Sequence, residues 1–80
     1  MKIRVLVSYK DSVLDPQGQT VRNALLTMGY DFVNDVRQGK VFEIEIADLS
    51  EHKLQEAIPE LADRVLANPI IEKFTWEIID

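Results

Sequence analysis

The sequence predicts an α+β fold with the element order β-α-β-β-α-β. Two periodicities support this prediction: segments in which apolar and polar residues alternate, typical of half-buried strands, and segments with apolar residues at i, i+3 and i+4, typical of amphipathic helices. No linker, repeat or low-complexity stretch interrupts the 80 residues, so we expect one domain, 1–80. With right-handed crossovers, this order most simply gives a two-layer, ferredoxin-like sandwich.

The first strand and the first helix are predicted from the N-terminal third. Residues 2–8 alternate between apolar and mostly polar side chains. Asp15 suits the position that caps a helix start, and Pro16 suits the first helical position. Gly29 suits a left-handed C-terminal cap. Gly18 in the first turns indicates either fraying or the close approach of another chain. The predicted buried stripe of this helix is Val21, Ala24, Leu25 and Met28.

A β-hairpin is predicted at residues 32–46. A three-residue turn, Arg37-Gln38-Gly39, is favoured over a two-residue turn because it requires only Gly39 in the left-handed region. This register places one apolar set of side chains on the same face: Phe32, Val36, Phe42, Ile44 and Ile46. The opposite face then carries the carboxylates Asp35, Glu43 and Glu45.

A second helix and a last strand complete the predicted fold. Asp48 or Ser50 caps the helix, and Asn68-Pro69 ends it. Pro59 predicts a kink or a split, and the kink is preferred because the apolar stripe keeps its phase across it. That stripe is Leu54, Ala57, Ile58, Leu61, Ala62, Val65 and Leu66. Residues 72–80 alternate as a strand whose core side chains are Phe74, Trp76 and Ile78.

The second face of the predicted sheet indicates an oligomer. Two helices would cover one face only. The other face would mix its three carboxylates with the apolar residues Leu6, Val33, Val41 and Ile79. Such a face is too apolar to be simply solvated, so we expect it to oligomerise through the sheet.

Composition excludes several classes of protein. The net charge of −5 argues against nucleic acid and against anionic membranes as partners. The chain has no cysteine, so disulfides, thiol chemistry and cysteine-ligated zinc are unavailable. The N-terminus enters an alternating strand without an apolar leader, so we expect a cytoplasmic protein.

Few residues suggest catalysis. The only histidine, His52, is expected to be a solvated surface residue, since no nucleophile lies near it in sequence. Glu43 and Glu45 point to the same face, which we interpret first as the solvent-exposed face of an amphipathic strand. Acid–base catalysis or metal binding by these two carboxylates is the alternative interpretation. No glycine-rich phosphate loop is present. We therefore expect no active site and no cofactor on this chain.

The tip of the hairpin is the main candidate for a functional contact. Arg37 and Lys40 flank Gly39 and form either an ordinary charged turn or a donor pair offered to a partner or an anion. Asp35 is expected to hold Arg37 through a same-face contact.

Three stretches, in this order and at this spacing, resemble the PurS family. They are Val13-Leu14-Asp15-Pro16-Gln17-Gly18, Asp35-Val36-Arg37-Gln38-Gly39-Lys40 and Leu66-Ala67-Asn68-Pro69-Ile70-Ile71-Glu72. This family is the small subunit of a multi-chain phosphoribosylformylglycinamidine synthase. The resemblance covers essentially the whole chain. Pro59 departs from the expected pattern, which puts only the straightness of the second helix in question.

The resemblance implies a non-catalytic role in an ATP- and glutamine-dependent ligase that converts FGAR to FGAM. A glutaminase subunit would release ammonia, and a large synthetase subunit would bind ATP and Mg²⁺. This chain would bridge the two as a homodimer or higher oligomer and assist ammonia transfer. The implied partner contacts are Asp15, Pro16, Gln17, Gly18, Asp35, Arg37, Gly39, Lys40, Asn68, Pro69 and Ile70. Asp15-Pro16 and Asn68-Pro69 could equally be only helix start and stop signals.

Two other functions compete with this hypothesis. Ferredoxin-like dimers often bind ligands at their interface, so a small-molecule-binding regulatory dimer is the first alternative. A small stand-alone hydrolase is the second, and the lack of a phosphate-binding glycine loop speaks against it.

Overall fold

The computed structural model describes residues 1–80 and contains three strands and two main helices. In chain order these are β1 (Lys2–Tyr9), α1 (Pro16–Thr27), β2 (Gly39–Glu45), α2 (Glu51–Leu61) and β3 (Glu72–Ile78), with a π-helical turn, Ala62–Leu66, between α2 and β3. The strands form one sheet in the order β2-β1-β3, and β1 is antiparallel to both neighbours. The predicted α+β, ferredoxin-like class is confirmed.

The hydrophobic core lies between the central strand and α2. Ile3, Val5 and Val7 of β1 are fully buried and define what we call the front face of the sheet. Alternate residues of a strand point to one face, so the period of two predicted from sequence is confirmed here. Leu54 and Ile58 of α2 and Ala62 of the π-helical turn pack against these strand residues. Partly buried residues surround this core: Phe42, Ile44, Ile46, Phe74 and Trp76.

The predicted hairpin is wrong in its first half. Only residues 39–45 form a strand, and residues 32–38 pair with no strand. Gly39 is already opposite Ser8 in the sheet, so it is not free to serve in a turn. The φ of Gly39 is not positive either; Gly29 is the only residue with a positive φ, of 96°. Residues 32–38 therefore lie outside the sheet, and the chain joins the sheet only at Gly39.

Helix α1 begins and ends where predicted but packs on neither face of the sheet. Asp15 is its N-cap, and Gly29 follows its last turn in the left-handed conformation. The predicted buried stripe is wrong within a single chain, since Val21 is 41% and Met28 69% exposed, and no α1 residue belongs to the core. Gly18 is the only buried residue of the helix.

The single chain is consequently elongated. Only nine of its 80 residues are buried. Its radius of gyration is 16.0 Å, whereas a compact domain of this length has about 12 Å. Its accessible surface is 5764 Å², whereas a compact monomer of this mass exposes about 4,900 Å². Twelve large apolar side chains therefore stay exposed in the single chain.

Pro59 neither splits α2 nor changes which face of the helix is buried. The helix runs through it to Leu61, and Ser50, not Asp48, caps its start. The irregularity comes later, where the amide of Ala67 donates to the carbonyl of Ala62, five residues back, as in a π turn. This wider turn brings Ala67 into the core and leaves Val65 78% exposed, whereas Leu66 still packs against the core as predicted.

We expect Pro59→Ala to stabilise the chain by about 1 kcal/mol. Proline lacks the amide that would donate to the carbonyl of Gln55, and its removal restores that bond, offset in part by a more flexible unfolded chain. Urea unfolding followed by circular dichroism measures this change. Lys53→Ala, at an exposed site of the same helix, serves as the control, and a loss of stability for Pro59→Ala alone would contradict this account.

Candidate functional site

Three chain segments meet at the end of the sheet where β1 ends and its neighbours begin. They are residues 10–18, 36–40 and 68–72, and we call this region the junction. The antiparallel register creates it, because Ser8 pairs with Gly39 and Tyr9 pairs with Glu72. Beyond the sheet, the amide of Lys10 donates to the carbonyl of Ile71 at 2.9 Å. The three stretches singled out in the sequence are thus brought together.

Asp15 is the centre of the junction. Its carboxylate is 1% exposed and accepts two backbone hydrogen bonds, from Gly18 at 2.9 Å and from Gln38 at 2.6 Å. The first is the N-cap of α1, and the second ties the entrance of β2 to that helix. These two amides, that of Gln38 above all, hold the pKa of Asp15 below its usual range. Asp15 therefore has a structural role within its own chain.

Arg37 binds its own chain at the junction. Its Nη2 donates to the carbonyl of Lys10 at 3.0 Å and to that of Val13 at 2.9 Å. These bonds fix the loop between β1 and α1. The predicted contact with Asp35 is not formed: Asp35 is exposed and makes no ion pair. The side chain of Arg37 thus caps two carbonyls of its own chain.

Glycine allows two close backbone approaches. A Cβ on Gly18 would lie 2.3 Å from the carbonyl oxygen of Val36 and 2.5 Å from Oδ2 of Asp15. A Cβ on Gly39 would lie 2.6 Å from the carbonyl oxygen of Val7. The prediction that Gly18 marks a close approach is right in kind, but the approaching segment belongs to the same chain.

The third segment forms a turn that leads into β3. The carbonyl of Asn68 accepts from the amide of Glu72 at 2.7 Å, and Oε1 of Glu72 accepts in return from the amide of Asn68 at 2.7 Å. The side chain of Asn68 accepts from the amide of Ile70 at 3.1 Å. Nζ of Lys40 lies 3.8 Å from Oε2 of Glu72, which joins this turn to β2.

The junction therefore divides the predicted site residues into two groups. Asp15, Gly18, Arg37 and Asn68 are engaged in holding the chain together. The others present exposed surface: Pro16, Gln17, Asp35, Gly39, Lys40, Pro69 and Ile70. Among the exposed residues, Ile70 is an apolar side chain that is 80% exposed.

Sequence reasoning missed two residues of the junction, Gln38 and Glu72. With Lys40, Gln17 and Gly39 they line a polar cleft of about 170 Å³. Nε2 of Gln38 donates to Oε1 of Gln17 at 2.8 Å across it. Both missed residues lie inside the stretches quoted for the family resemblance, so that resemblance was the available signal.

The other face of the sheet, which we call the back face, carries a charged row beside an apolar one. Nη2 of Arg4 lies 2.8 Å from Oε2 of Glu43, and Nη1 lies 3.5 Å from Oε1 of Glu77. The hydrogen bond and charge of Arg4 lower the pKa of Glu43. Leu6 and Val41 pair beside this row and are 46% and 55% exposed. Of the residues predicted for this face, Asp35 and Val33 lie outside the sheet.

The only histidine of the chain lies on its surface. Nε2 of His52 faces Glu56 at 3.1 Å one helical turn away, and its side chain is 86% exposed, as predicted for a surface histidine. No cluster of three or more acidic or histidine side chains that could hold a metal ion is found. Neither helix has the length and apolar character needed to cross a membrane.

Comparisons with known proteins agree with one another over the full chain. A sequence model of the family described as PurS, phosphoribosylformylglycinamidine (FGAM) synthase, matches residues 2–80. The chain is 44% identical over 77 residues to the phosphoribosylformylglycinamidine synthase subunit PurS of Bacillus subtilis, which covers 96% of this chain and 90% of that protein.

Solved structures show the same likeness. The structure of B. subtilis PurS matches with a TM-score of 0.87 at 43% identity, covering 99% of this chain and 98% of that one. A chain in the structure of PurLQS from Thermotoga maritima matches with a TM-score of 0.85 at 26% identity, covering 98% of this chain and 95% of that one.

Proposed function

This chain belongs to the PurS family, the small subunit of FGAM synthase, a ligase of purine biosynthesis, and we propose that it acts there as a non-catalytic assembly subunit. It bridges a glutaminase subunit and a large synthetase subunit and helps ammonia pass between them. ATP and Mg²⁺ bind to the synthetase, and this chain holds no cofactor. The complex works in the cytoplasm.

The observation that carries the proposal is the convergence of all three family-resembling stretches at the junction. Residues there that are buried or hydrogen-bonded within the chain fix the backbone. Lys40, Pro69 and Ile70 are exposed to solvent. A rigid rim with exposed apolar and cationic groups suits a contact with larger subunits. Sealing such a contact excludes water, which keeps ammonia from escaping to solvent.

The regulatory alternative is not favoured. The family is that of a ligase subunit, and the polar cleft at the junction is small and open. Small-molecule sites are mostly larger and lined by apolar side chains.

Omission of this chain tests the proposed function. In a mixture with the glutaminase and synthetase subunits, we expect glutamine-dependent FGAM formation to fall at least tenfold without it. Synthesis supported by free ammonium should persist, because that reaction needs no transfer between subunits. An unchanged glutamine-dependent rate in its absence would overturn the proposal.

A surface variant locates the contact. We expect Lys40→Ala combined with Ile70→Ser to weaken binding to the other subunits about tenfold while circular dichroism shows an intact fold, since both side chains are largely exposed. His52→Ala, on an exposed part of α2, is the matched control and should bind normally. Equal binding by both variants would place the contact elsewhere on the chain.

We also propose that the chain self-associates as a homodimer or higher oligomer. Its small core, its 16.0 Å radius of gyration and its exposed apolar residues support this. The excess accessible surface, about 860 Å², is close to the roughly 800 Å² that one partner contributes to a standard interface.

A further inference from the structure

Two exposed cations at the junction have no carboxylate partner. Lys10 and Arg37 form no ion pair, whereas the nearby Lys73 meets Asp11 at 2.9 Å. The chain as a whole has a net charge of −5, so carboxylates are in excess over cations. The absence of an acidic neighbour at Lys10 and Arg37 is therefore a local property of this end of the molecule.

The carboxylates of the junction are bound to other groups. Asp15 is 1% exposed and accepts from the amides of Gly18 and Gln38. Glu72 accepts from the amide of Asn68 at 2.7 Å. None of these carboxylates can turn to the two cations without losing the bonds that hold the junction, so the positive charge there is available to a group from outside the chain.

The guanidinium of Arg37 is held in place but is not saturated. Both of its hydrogen bonds come from Nη2, to the carbonyls of Lys10 and Val13. A guanidinium has five N–H groups, so the three on Nε and Nη1 have no acceptor in the chain. Charged donors make short, strong hydrogen bonds to carboxylates, and a side chain that is already ordered loses little entropy when it binds one.

Two exposed apolar side chains extend from the same hydrogen-bonded network. The amide of Lys10 donates to the carbonyl of Ile71 at 2.9 Å, and Ile70 precedes that residue. Leu14 follows the residue whose carbonyl accepts from Arg37. Leu14 is 69% and Ile70 80% exposed. Apolar side chains together with arginine are typical of the buried centre of a protein–protein interface.

We propose that Lys10, Leu14, Arg37 and Ile70 form a docking surface for an acidic and apolar segment of a larger subunit. Carboxylates of that segment bind Lys10 and Arg37, and its apolar side chains cover Leu14 and Ile70. This inference rests on the proposed function and adds to it the chemistry of the partner surface. A second copy docked here by a two-fold axis would set the same cations against each other, so a different chain is the better occupant.

A pair of charge reversals tests the electrostatic part. Lys10→Glu should weaken binding to the glutaminase and synthetase subunits at least tenfold at low salt, and Lys10→Arg should bind normally. Lys53→Glu is the matched control, because Lys53 is also an exposed cation without an ion pair and its reversal changes the net charge equally. It should bind like wild type.

Salt and phosphate identify the group that the cations bind. The affinity of wild type should fall as salt rises, and that of Lys10→Glu should fall less. Inorganic phosphate at constant ionic strength should not displace the other subunits. Displacement by phosphate would assign Lys10 and Arg37 to a phosphate group and overturn the proposal.

A serine substitution tests the apolar part. Leu14→Ser should weaken binding at least tenfold while circular dichroism shows an intact fold, since the side chain is largely exposed. Val65→Ser, at 78% exposure on the π-helical turn, is the control and should bind normally. Equal effects of the two substitutions would contradict a specific role for Leu14.

Three further results would overturn the docking surface. They are equal weakening by Lys10→Glu and Lys53→Glu, normal binding by Lys10→Glu, and altered self-association of the isolated Lys10→Glu chain, which would assign the surface to a second copy. Normal binding by Lys10→Glu, where omission of the chain still abolishes glutamine-dependent synthesis, refutes the docking surface alone. A complex that forms through Lys10 but is not needed for that synthesis refutes the assembly function alone.

Discussion

Asp15→Ala is expected to lower the melting temperature of the chain by about 10 °C. The substitution removes an N-cap and leaves the amides of Gly18 and Gln38 without an acceptor at a position that is 1% exposed. It also releases the entrance of β2 from α1, so the junction loosens. Thermal melts followed by circular dichroism, at one fixed protein concentration, measure the effect.

Asp11→Ala is the matched control for this prediction. Asp11 is 94% exposed and meets Lys73 at 2.9 Å, and exposed ion pairs contribute little to stability. The two variants should therefore differ strongly. Similar melting temperatures for both would show that the buried carboxylate does not hold the junction.

The same carboxylate gives the stability a defined dependence on pH. Its pKa is lowered in the folded chain by the amides of Gln38 and Gly18. Its contribution is thus fully present above the unfolded pKa, near 3.8, and is lost as pH falls through that value toward the folded pKa. Asp15→Asn keeps a hydrogen-bond acceptor but does not titrate.

The comparison of wild type with Asp15→Asn isolates this effect. The pKa values of Asp11 and Glu43 are also lowered, but these groups titrate in both proteins. We expect the stability advantage of wild type to shrink from about pH 5 downward. A constant difference across that range would contradict the lowered pKa.

Gly18→Ala is expected to destabilise the chain by about 2 to 3 kcal/mol. In an ordinary helix this change gains about 1 kcal/mol, so the predicted sign is opposite to that of helix propensity. The reason is the backbone carbonyl oxygen of Val36, which lies 2.3 Å from the position of the new Cβ. This oxygen can move only if the backbone around Val36 moves. Urea unfolding measures the loss.

Gly29→Ala separates crowding from backbone strain. Gly29 has a φ of 96° but no atom within 4 Å of an added Cβ, so only the left-handed backbone opposes alanine, at about 1 kcal/mol. We expect Gly18→Ala to be the more damaging of the two. The reverse order would mean that the close approach of Val36 relaxes at little cost.

The junction also changes how the resemblance to PurS is understood. The stretches that carry it were expected to contact partners, yet Asp15, Gly18 and Arg37 bind within their own chain. A motif can identify a family because it fixes the backbone that presents a contact surface. The neighbouring exposed residues, Lys40 and Ile70 among them, are then the ones to test for partner binding.

The sequence by itself determined the elements whose interactions are local. The alternation in residues 2–8 and 72–80, the N-caps of both helices and the glycine after α1 depend on neighbours a few residues away. The structure has both strands, Asp15 and Ser50 as the N-caps, and Gly29 after α1, although the last strand ends at Ile78 and α2 ends at Leu61, before the predicted stop at Asn68. The family followed from short stretches at fixed spacing. The only histidine was correctly assigned to the surface because nothing near it suggested a catalytic partner.

Only the tertiary structure decided whether residues 30–38 pair in the sheet of their own chain. Their alternation fits a strand in this chain equally well whether it pairs with its own sheet or with another copy, since periodicity records which face is apolar and not what covers it. The choice depends on bonds between residues more than twenty positions apart, from Asp15 to Gln38 and from Arg37 to Lys10 and Val13. Those bonds hold Arg37 and Gln38 at the junction, so these residues do not form the turn of the predicted hairpin.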